Sequence, residues 1–383
     1  MNINSDISND FPTNGKIYLN NASVSINPLD CINSMRDFLV SYNALGPDSL
    51  DSQPFVENQL RETRKIISQI IKCQPEEIIF TQSTTDGVNT VANGMNFEPS
   101  SNIIIRGLSH EHHANYYPWL RLSKKLEIKN LNVDKDGFFQ INDLKQLVDK
   151  NTRLVALSHA LYNTGTILPI EEVGEVLEKQ NIPYFLDTAQ TIGCIGDFDV
   201  RKTKCNFMSF NGSKWLCGPM GTGIFYCSKN SSQLLEPTNI GGESAMIYDE
   251  DKLAFKDMPD KFQTGFRNYV GMAGLESSAK YLSRYGMENI RRDITKLANQ
   301  LRDELIKIPN VTLYGPSDPE QRTSIVSFNI KNQEPSTVVE RLEKKNIILA
   351  VREISEEKLI RASPHFFNSE EQIEVLINEL RKL

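Results

Sequence analysis

The sequence predicts an α/β fold: a large domain with a mainly parallel, seven-stranded sheet between helices, followed by a smaller α+β C-terminal domain. Two observations predict it. Between residues 76 and 228, short apolar runs alternate with amphipathic segments, the βαβα pattern of a parallel sheet covered on both faces. Beyond "GGES" (241–244) the alternation stops and strands mix with longer helices.

The strands come first. "EEIIFTQ" (76–82), "NIIIRG" (102–107), "LEIKNLNV" (126–133), "RLVALSHA" (153–160), "IPYFLDTA" (182–189), "CNFMSFNG" (205–212) and "GTGIFYCS" (221–228) have strand length and bounding turn residues. "TTDGVNTVANGM", "HHANYYPWLRLSKK", "INDLKQLVDKN" and "IEEVGEVLEKQ" carry helical patterns between them. One long or broken helical stretch covers 268 to about 308. After it come "TSIVSFNI" (323–330), a helix in "PSTVVERLEKKN", "IILAVRE" (347–353), "KLIRASP" (358–364) and a last helix in "SEEQIEVLINELRKL". The change of pattern places a domain boundary near 245–275.

A chain of 383 residues can bury one large or two ordinary cores. A net charge of −7 without a basic stripe argues against nucleic-acid binding. No apolar run approaches the roughly 20 residues that span a bilayer, so no membrane partner is expected. The polar N-terminus lacks a signal-peptide pattern. Cys31, Cys73, Cys194, Cys205, Cys217 and Cys227 show no metal-ligand spacing and read as reduced, structural thiols of a cytoplasmic protein.

In open parallel sheets, ligands collect at the carboxyl ends of strands. Thr84 and Thr85 open a helix there, which suits a phosphate or serves as a plain cap. His110, His112 and His113 follow the second strand without the partners a metal would need. His112 reads as a ring for stacking on an aromatic ligand, or as an exposed helix start. Asn163 and Gly165 form a turn signal. Asp187 ends a buried run, where a carboxylate needs a cation or strong donors, and Gln190 can reach the same space. Lys214 sits between Asn211, Ser213 and the apolar Trp215, where desolvation lowers an amine's pKa and makes it a nucleophile. Together these groups specify a ligand with a phosphate, a stackable ring, a protonated ring nitrogen, a ring oxygen and an aldehyde. Pyridoxal 5′-phosphate (PLP) has all five features.

With those residues in view, the chain resembles the class V aminotransferase family of fold-type I PLP enzymes, in particular its cysteine desulfurase and selenocysteine lyase branch. The resemblance runs from "IYLNNASVSINP" (17–28) to the C-terminus through "TTDGVN", "SHEHHANYYPW", "SHALYNTGTILPI", "FLDTAQTIG", "SFNGSKWLCGPMGTG" and "IRASPHFFNSEEQIEVL". It implies that Lys214 is the Schiff-base lysine and the proton shuttle at the substrate α-carbon. By the same resemblance Asp187 holds the pyridinium, His112 stacks on the ring, and Asn163 and Gln190 bond near the ring hydroxyl. Thr84, Thr85, Asn211 and Ser213 then cradle the phosphate, while Arg361 and Asn21 take the substrate. The resemblance further implies an N-terminal segment (1–20) packed on the small domain, a PLP-binding domain (21–265), a small domain (266–383) and a homodimer.

Three positions depart from the family pattern. Ser213 stands where histidine commonly precedes the lysine, and Gly265-Phe266 stands where Gly-Thr reaches a partner subunit's phosphate site. Desulfurases that relay sulfur as a persulfide carry a cysteine upstream of "RAS", but "ILAVREISEEKLIRASP" has none, nor does any residue after Cys227. The resulting expectation is Cβ–S lyase chemistry by β-elimination on an amino acid. The alternatives are transamination with a 2-oxoacid, epimerisation, and a non-catalytic PLP-fold scaffold. Arg267, Arg352, His365 and the N-terminal segment are candidates for the remaining pocket wall.

Overall fold

The computed structural model describes residues 7–249 and 252–383. In chain order, β1 (Ile17–Tyr18) leads into α1 (Leu29–Ala44), α2 (Ser52–Ile71), β2 (Ile78–Thr81) and α3 (Thr84–Gly94). Then come β3 (Asn102–Arg106), α4 (Tyr117–Leu120), β4 (Glu127–Leu131), α5 (Ile141–Leu147), β5 (Thr152–Ser158), α6 (Ile170–Glu178), β6 (Tyr184–Asp187), β7 (Phe207–Asn211) and β8 (Gly223–Cys227). A hairpin of β9 (Ala245–Asp249) and β10 (Lys252–Phe255) precedes α7 (Tyr269–Tyr285) and α8 (Met287–Ile306). The chain closes with β11 (Val311–Tyr314), β12 (Val326–Ile330), α9 (Pro335–Glu343), β13 (Ile347–Ile348), β14 (Ala350–Ile354), β15 (Glu357–Ala362) and α10 (Glu370–Leu380).

The seven-stranded sheet has the order β2-β8-β7-β6-β5-β3-β4. Only β8 runs against its two neighbours, and the other pairings are parallel. Both faces are covered, which is why the strands are apolar throughout rather than alternating. Ile103 and Ile105 pack with Val88, Val91 and Trp119 on one face, while Ile104 packs with Leu60, Ile67 and Val155 on the other. Gly87 lets α3 lie on β7, because a Cβ there would stand 2.2 Å from the Ser209 hydroxyl.

Two expectations change. "HHANYYPWLRLSKK" is not one helix: two 3-10 turns flank the four-residue α4. Pro118 cannot donate within a helix and biases Tyr117 away from helical angles, so any helix has to begin there. The stretch after residue 268 is two helices, broken at Gly286 with φ +97°.

The second core lies under the antiparallel sheet β11-β12-β15-β14. It joins Leu297, Leu301 and Leu305 of α8 to Phe328, Leu342, Ile360 and Leu376. Parallel pairing of β1 with β13 brings Leu19 into this core. By contrast Met272, Leu275, Ala279 and Leu282 of α7, and Ile290 and Ile294 of α8, belong to the first core. The cores therefore part within α8, downstream of the 265/266 division. The apolar face of α7 packs on α1 and α2, and the amphipathic pattern alone does not say which core an apolar face joins.

Candidate active site

Parallel pairing sets Ser158, Asp187 and Ser209 side by side at the ends of β5, β6 and β7. Asp187 is 6% exposed and accepts a hydrogen bond from the Ala189 N–H at 2.9 Å. Burial raises its pKa to about 6 against the pull of that N–H; the nearby Glu111 adds to the rise and Lys214 opposes it. Lys214 lies in the loop after β7, where the Gly212 N–H donates to the Thr222 carbonyl at 2.7 Å and the Gly218 N–H to the Gly212 carbonyl at 2.7 Å. A Cβ on Gly212 would stand 2.5 Å from the Thr222 hydroxyl, so this return is closed to larger residues. Burial lowers the Lys214 pKa to about 8; Asp187 works against this, and Arg361 and Arg352 reinforce it. Asp187 and Lys214 line one cavity of about 300 Å³.

Thr84 and Thr85 open α3 on the wall of the same cavity, behind the N-cap Ser83. Among the described residues, the Thr84 hydroxyl and the Asn211 side-chain oxygen are buried with no hydrogen-bond partner. His112 also faces the cavity, its ring edge-on to Tyr162 at 4.9 Å. Its Nδ1 accepts from the Ala114 N–H at 3.1 Å, which leaves Nε2 as the protonated nitrogen of the neutral ring. Desolvation, then the charges of Lys214, His113, Arg352 and Arg361, keep its pKa low. Gln190 lines the cavity with its amide already engaged: it donates to the Ala22 carbonyl at 3.0 Å and accepts from the Trp215 indole at 2.9 Å. Arg361, only 1% exposed, closes the opposite end and donates to the Tyr162 carbonyl at 2.6 Å.

Three expected residues do not line this cavity. The Asn163 amide donates to the Glu353 carbonyl at 3.0 Å and ties the loop after β5 to the β14–β15 hairpin. Asn21 donates to the Ser363 carbonyl at 2.9 Å and accepts from Ser25. Ser213 is buried behind the wall, its carbonyl accepting from the Ser25 N–H at 2.8 Å. Of the further candidates, Arg352 lines the cavity, and so do Ala22 and Ser23, just past the 1–20 segment. Arg267 instead faces a second, larger cleft on the far side of α3 with Asp86, Arg121 and Phe266, and His365 is buried against Trp215 and Phe367. The larger cleft holds neither Lys214 nor Asp187, so the chemistry belongs to the smaller one.

Sequence reasoning missed Glu111, Ser158 and Tyr162. Glu111 is 1% exposed; its Oε1 accepts from the Ser158 hydroxyl at 2.5 Å and from the His112 N–H at 2.9 Å. It anchors the His112 segment to the end of β5. A glutamate among three histidines reads as a polar loop, and no periodicity marks it as buried.

A seven-stranded, mainly parallel sheet with a buried lysine and carboxylate at its strand ends, beside a helix N-terminus, defines a fold-type I PLP-dependent enzyme. The chain belongs to the class-V aminotransferase family, whose model matches residues 17–376. A probable cysteine desulfurase of Methanothermobacter thermautotrophicus is 31% identical, with 99% of this chain and 97% of the relative covered. One of Pyrococcus abyssi is 29% identical over 100% and 98%. The apo structure of the cysteine desulfurase from Thermococcus onnurineus superposes with a TM-score of 0.93 at 28% identity, covering 100% of this chain and 98% of that one. The residues present fit the family's cofactor. Two orphaned buried oxygens lie at the helix N-terminus end, an ionisable carboxyl lies in a dry wall, and a lysine is kept near neutrality by burial.

Proposed function

We propose that the protein is a Cβ–S lyase acting on a sulfur-containing amino acid by β-elimination, without a cysteine persulfide relay. The observation that carries this reading is the joint lining of one cavity by Lys214, Asp187 and Arg361 with no cysteine among its lining residues. The β14–β15 hairpin, where persulfide-relaying relatives are expected to carry a cysteine, is closed here by Ser355 and Glu356 alone, with Ser355 at φ +55°. The desulfurase activity named for the relatives supports cleavage at sulfur.

PLP, when bound, supplies an aldehyde and an electron sink for the pair left at the substrate α-carbon. Asp187 holds the ring nitrogen's proton, and the surrounding dry wall strengthens that ion pair. Lys214, with a pKa brought down to about 8, is partly deprotonated near neutral pH and can take the Cα proton and pass it to the departing sulfur. The α3 N-terminus, Thr84, Thr85 and Asn211 take the phosphate. His112, held neutral, covers the ring, and Arg361 grips the α-carboxylate through its guanidinium fork.

The active unit in this reading is a homodimer in a reducing, cytoplasmic setting. Met246, Ile247 and Tyr248 of β9 are 53%, 72% and 63% exposed and Phe266 is 77% exposed, apolar side chains that a second copy would cover. All six cysteines are free. Among the described residues no helix is long and apolar enough to cross a membrane.

The test is product analysis of the holoenzyme with cysteine, cystine and other amino acids. Pyruvate together with released sulfur supports the lyase. Accumulation of the pyridoxamine form, reversed by a 2-oxoacid, rejects it in favour of transamination. Borohydride reduction labels Lys214 in the wild type and leaves Lys214→Ala unlabelled.

A further inference from the structure

Three of the buried arginines, Arg302, Arg322 and Arg361, spend N–H groups on backbone carbonyls. Arg106, at the end of β3, does not. It is 0% exposed, and its Nε, Nη1 and Nη2 all lack a hydrogen-bond partner among the described residues. A Cβ on Gly137 would stand 3.5 Å from Arg106 Nη2 and 3.3 Å from His110 Cγ, so guanidinium and imidazole pack against the same turn. Burial and the charge of Arg106 lower the His110 pKa to about 4, so His110 stays neutral and offers no counter-charge. The counter-charge comes from Glu111, with a smaller pull from Asp134 in the loop after β4.

Glu111 bonds on one side only. Its Oε1 accepts from the Ser158 hydroxyl at 2.5 Å, the length of a charge-assisted bond, and from the His112 N–H at 2.9 Å. Its Oε2 is buried without a partner among the described residues. A proton placed there would be a buried donor with no acceptor, so the geometry favours the carboxylate, with Oε2 left to the field of Arg106. Burial pushes the Glu111 pKa up, and Arg106 is the largest influence against that rise. On its other side Glu111 faces the cofactor end, where its charge acts on Tyr162 and Asp187. Without a ligand, Glu111 and Asp187 repel. A pyridinium held by Asp187 turns the second anion into an attraction.

We propose that Arg106 is a positioning residue that keeps Glu111 a carboxylate, so that Glu111 both holds the His112 segment and lays a second negative charge behind Asp187. This rests on the PLP site of Lys214 and Asp187, whichever reaction follows.

The visible band of PLP bound to Lys214 changes with pH, and the midpoint of that change reads the local field without turnover. A nearby anion favours the protonated chromophore and raises the midpoint. Glu111→Gln keeps the accepting Oε1 but removes the charge and strands Arg106, so the midpoint is expected to fall by on the order of one unit. Arg106→Met leaves Glu111 to take up a proton. The midpoint then also falls, by less, although a cation has been removed, and Glu111→Gln added to this variant changes nothing further. Arg106→Lys is expected to restore the wild-type midpoint. A rise in Arg106→Met, an unshifted Glu111→Gln, or an equal Glu111→Gln shift in both backgrounds overturns the proposal.

Urea unfolding of the apoprotein tests the pair without the cofactor. Glu111→Gln is expected to lower the urea midpoint by stranding a buried cation. Adding Arg106→Met is expected to recover it, since neutral groups of similar size then replace the pair. Losses that add in the double variant overturn the pairing. A protein that shows the recovery but gives no visible band with PLP rejects the Lys214 cofactor site and leaves the Arg106–Glu111 pair standing.

Discussion

Asp187→Asn in the cofactor-free protein removes a buried charge while keeping an oxygen to accept the Ala189 N–H. Burial raises the Asp187 pKa from 3.8 to about 6. An acid with a raised folded-state pKa binds more protons when folded than when unfolded. Stability therefore falls as pH climbs from about 4 to about 6, and the full cost persists above that range. A shift of about two units corresponds to about 3 kcal/mol. Part of this is returned because Lys214 loses its counter-charge, so the variant is expected to gain about 1–3 kcal/mol near pH 7.5 and under about 1 kcal/mol near pH 4. Urea unfolding of both apoproteins at the two pH values measures the difference. The same change is expected to weaken PLP about 10–100-fold, the loss of one charged hydrogen bond, in a spectrophotometric titration. A variant less stable than wild type near neutral pH, or a gain equal at both pH values, refutes burial as the cause. Unchanged PLP affinity refutes the pyridinium contact.

Other outcomes follow from single contacts. Thr84→Val removes a buried hydroxyl that has no partner among the described residues, so apoprotein stability should hold or rise slightly while PLP affinity drops about tenfold, read by fluorescence titration. Gly87→Ala forces a Cβ to 2.2 Å from the Ser209 hydroxyl and lifts α3 off β7. It should cost about 1–3 kcal/mol in urea and weaken PLP as well, since α3 carries Thr84. Ile247→Asp with Phe266→Asp puts charge on two exposed apolar side chains and should halve the mass seen by light scattering; an unchanged mass places the dimer contact elsewhere.

The seven strands and their closing residues were legible because a doubly covered sheet needs uninterrupted apolar runs, and a charge at the end of such a run stands out. Asp187 and Lys214 could be singled out on that ground. Loop residues were harder. Asn163, Asn21 and Ser213 have the right chemistry, but no periodicity fixes where a loop side chain points: the Asn163 amide nitrogen goes to the hairpin carbonyl of Glu353, the Asn21 amide to Ser363, and Ser213 is held by its backbone carbonyl to Ser25. Gln190 illustrates the intermediate case, lining the cavity with its amide already held by Ala22 and Trp215.

By itself the sequence determined the α/β architecture, the order of its strands along the chain, and the lysine and carboxylate for which a PLP-like ligand is the natural partner. These depend on local pattern and on the cost of burying charge, both readable one segment at a time. Only the tertiary structure decided that α7 joins the larger core, that Glu111 anchors the His112 segment, and that Arg352 stands beside Arg361 on Ser23. Those outcomes depend on register and packing between segments far apart in sequence: a slip of one residue between β14 and β15 would turn Arg352 away from the cavity.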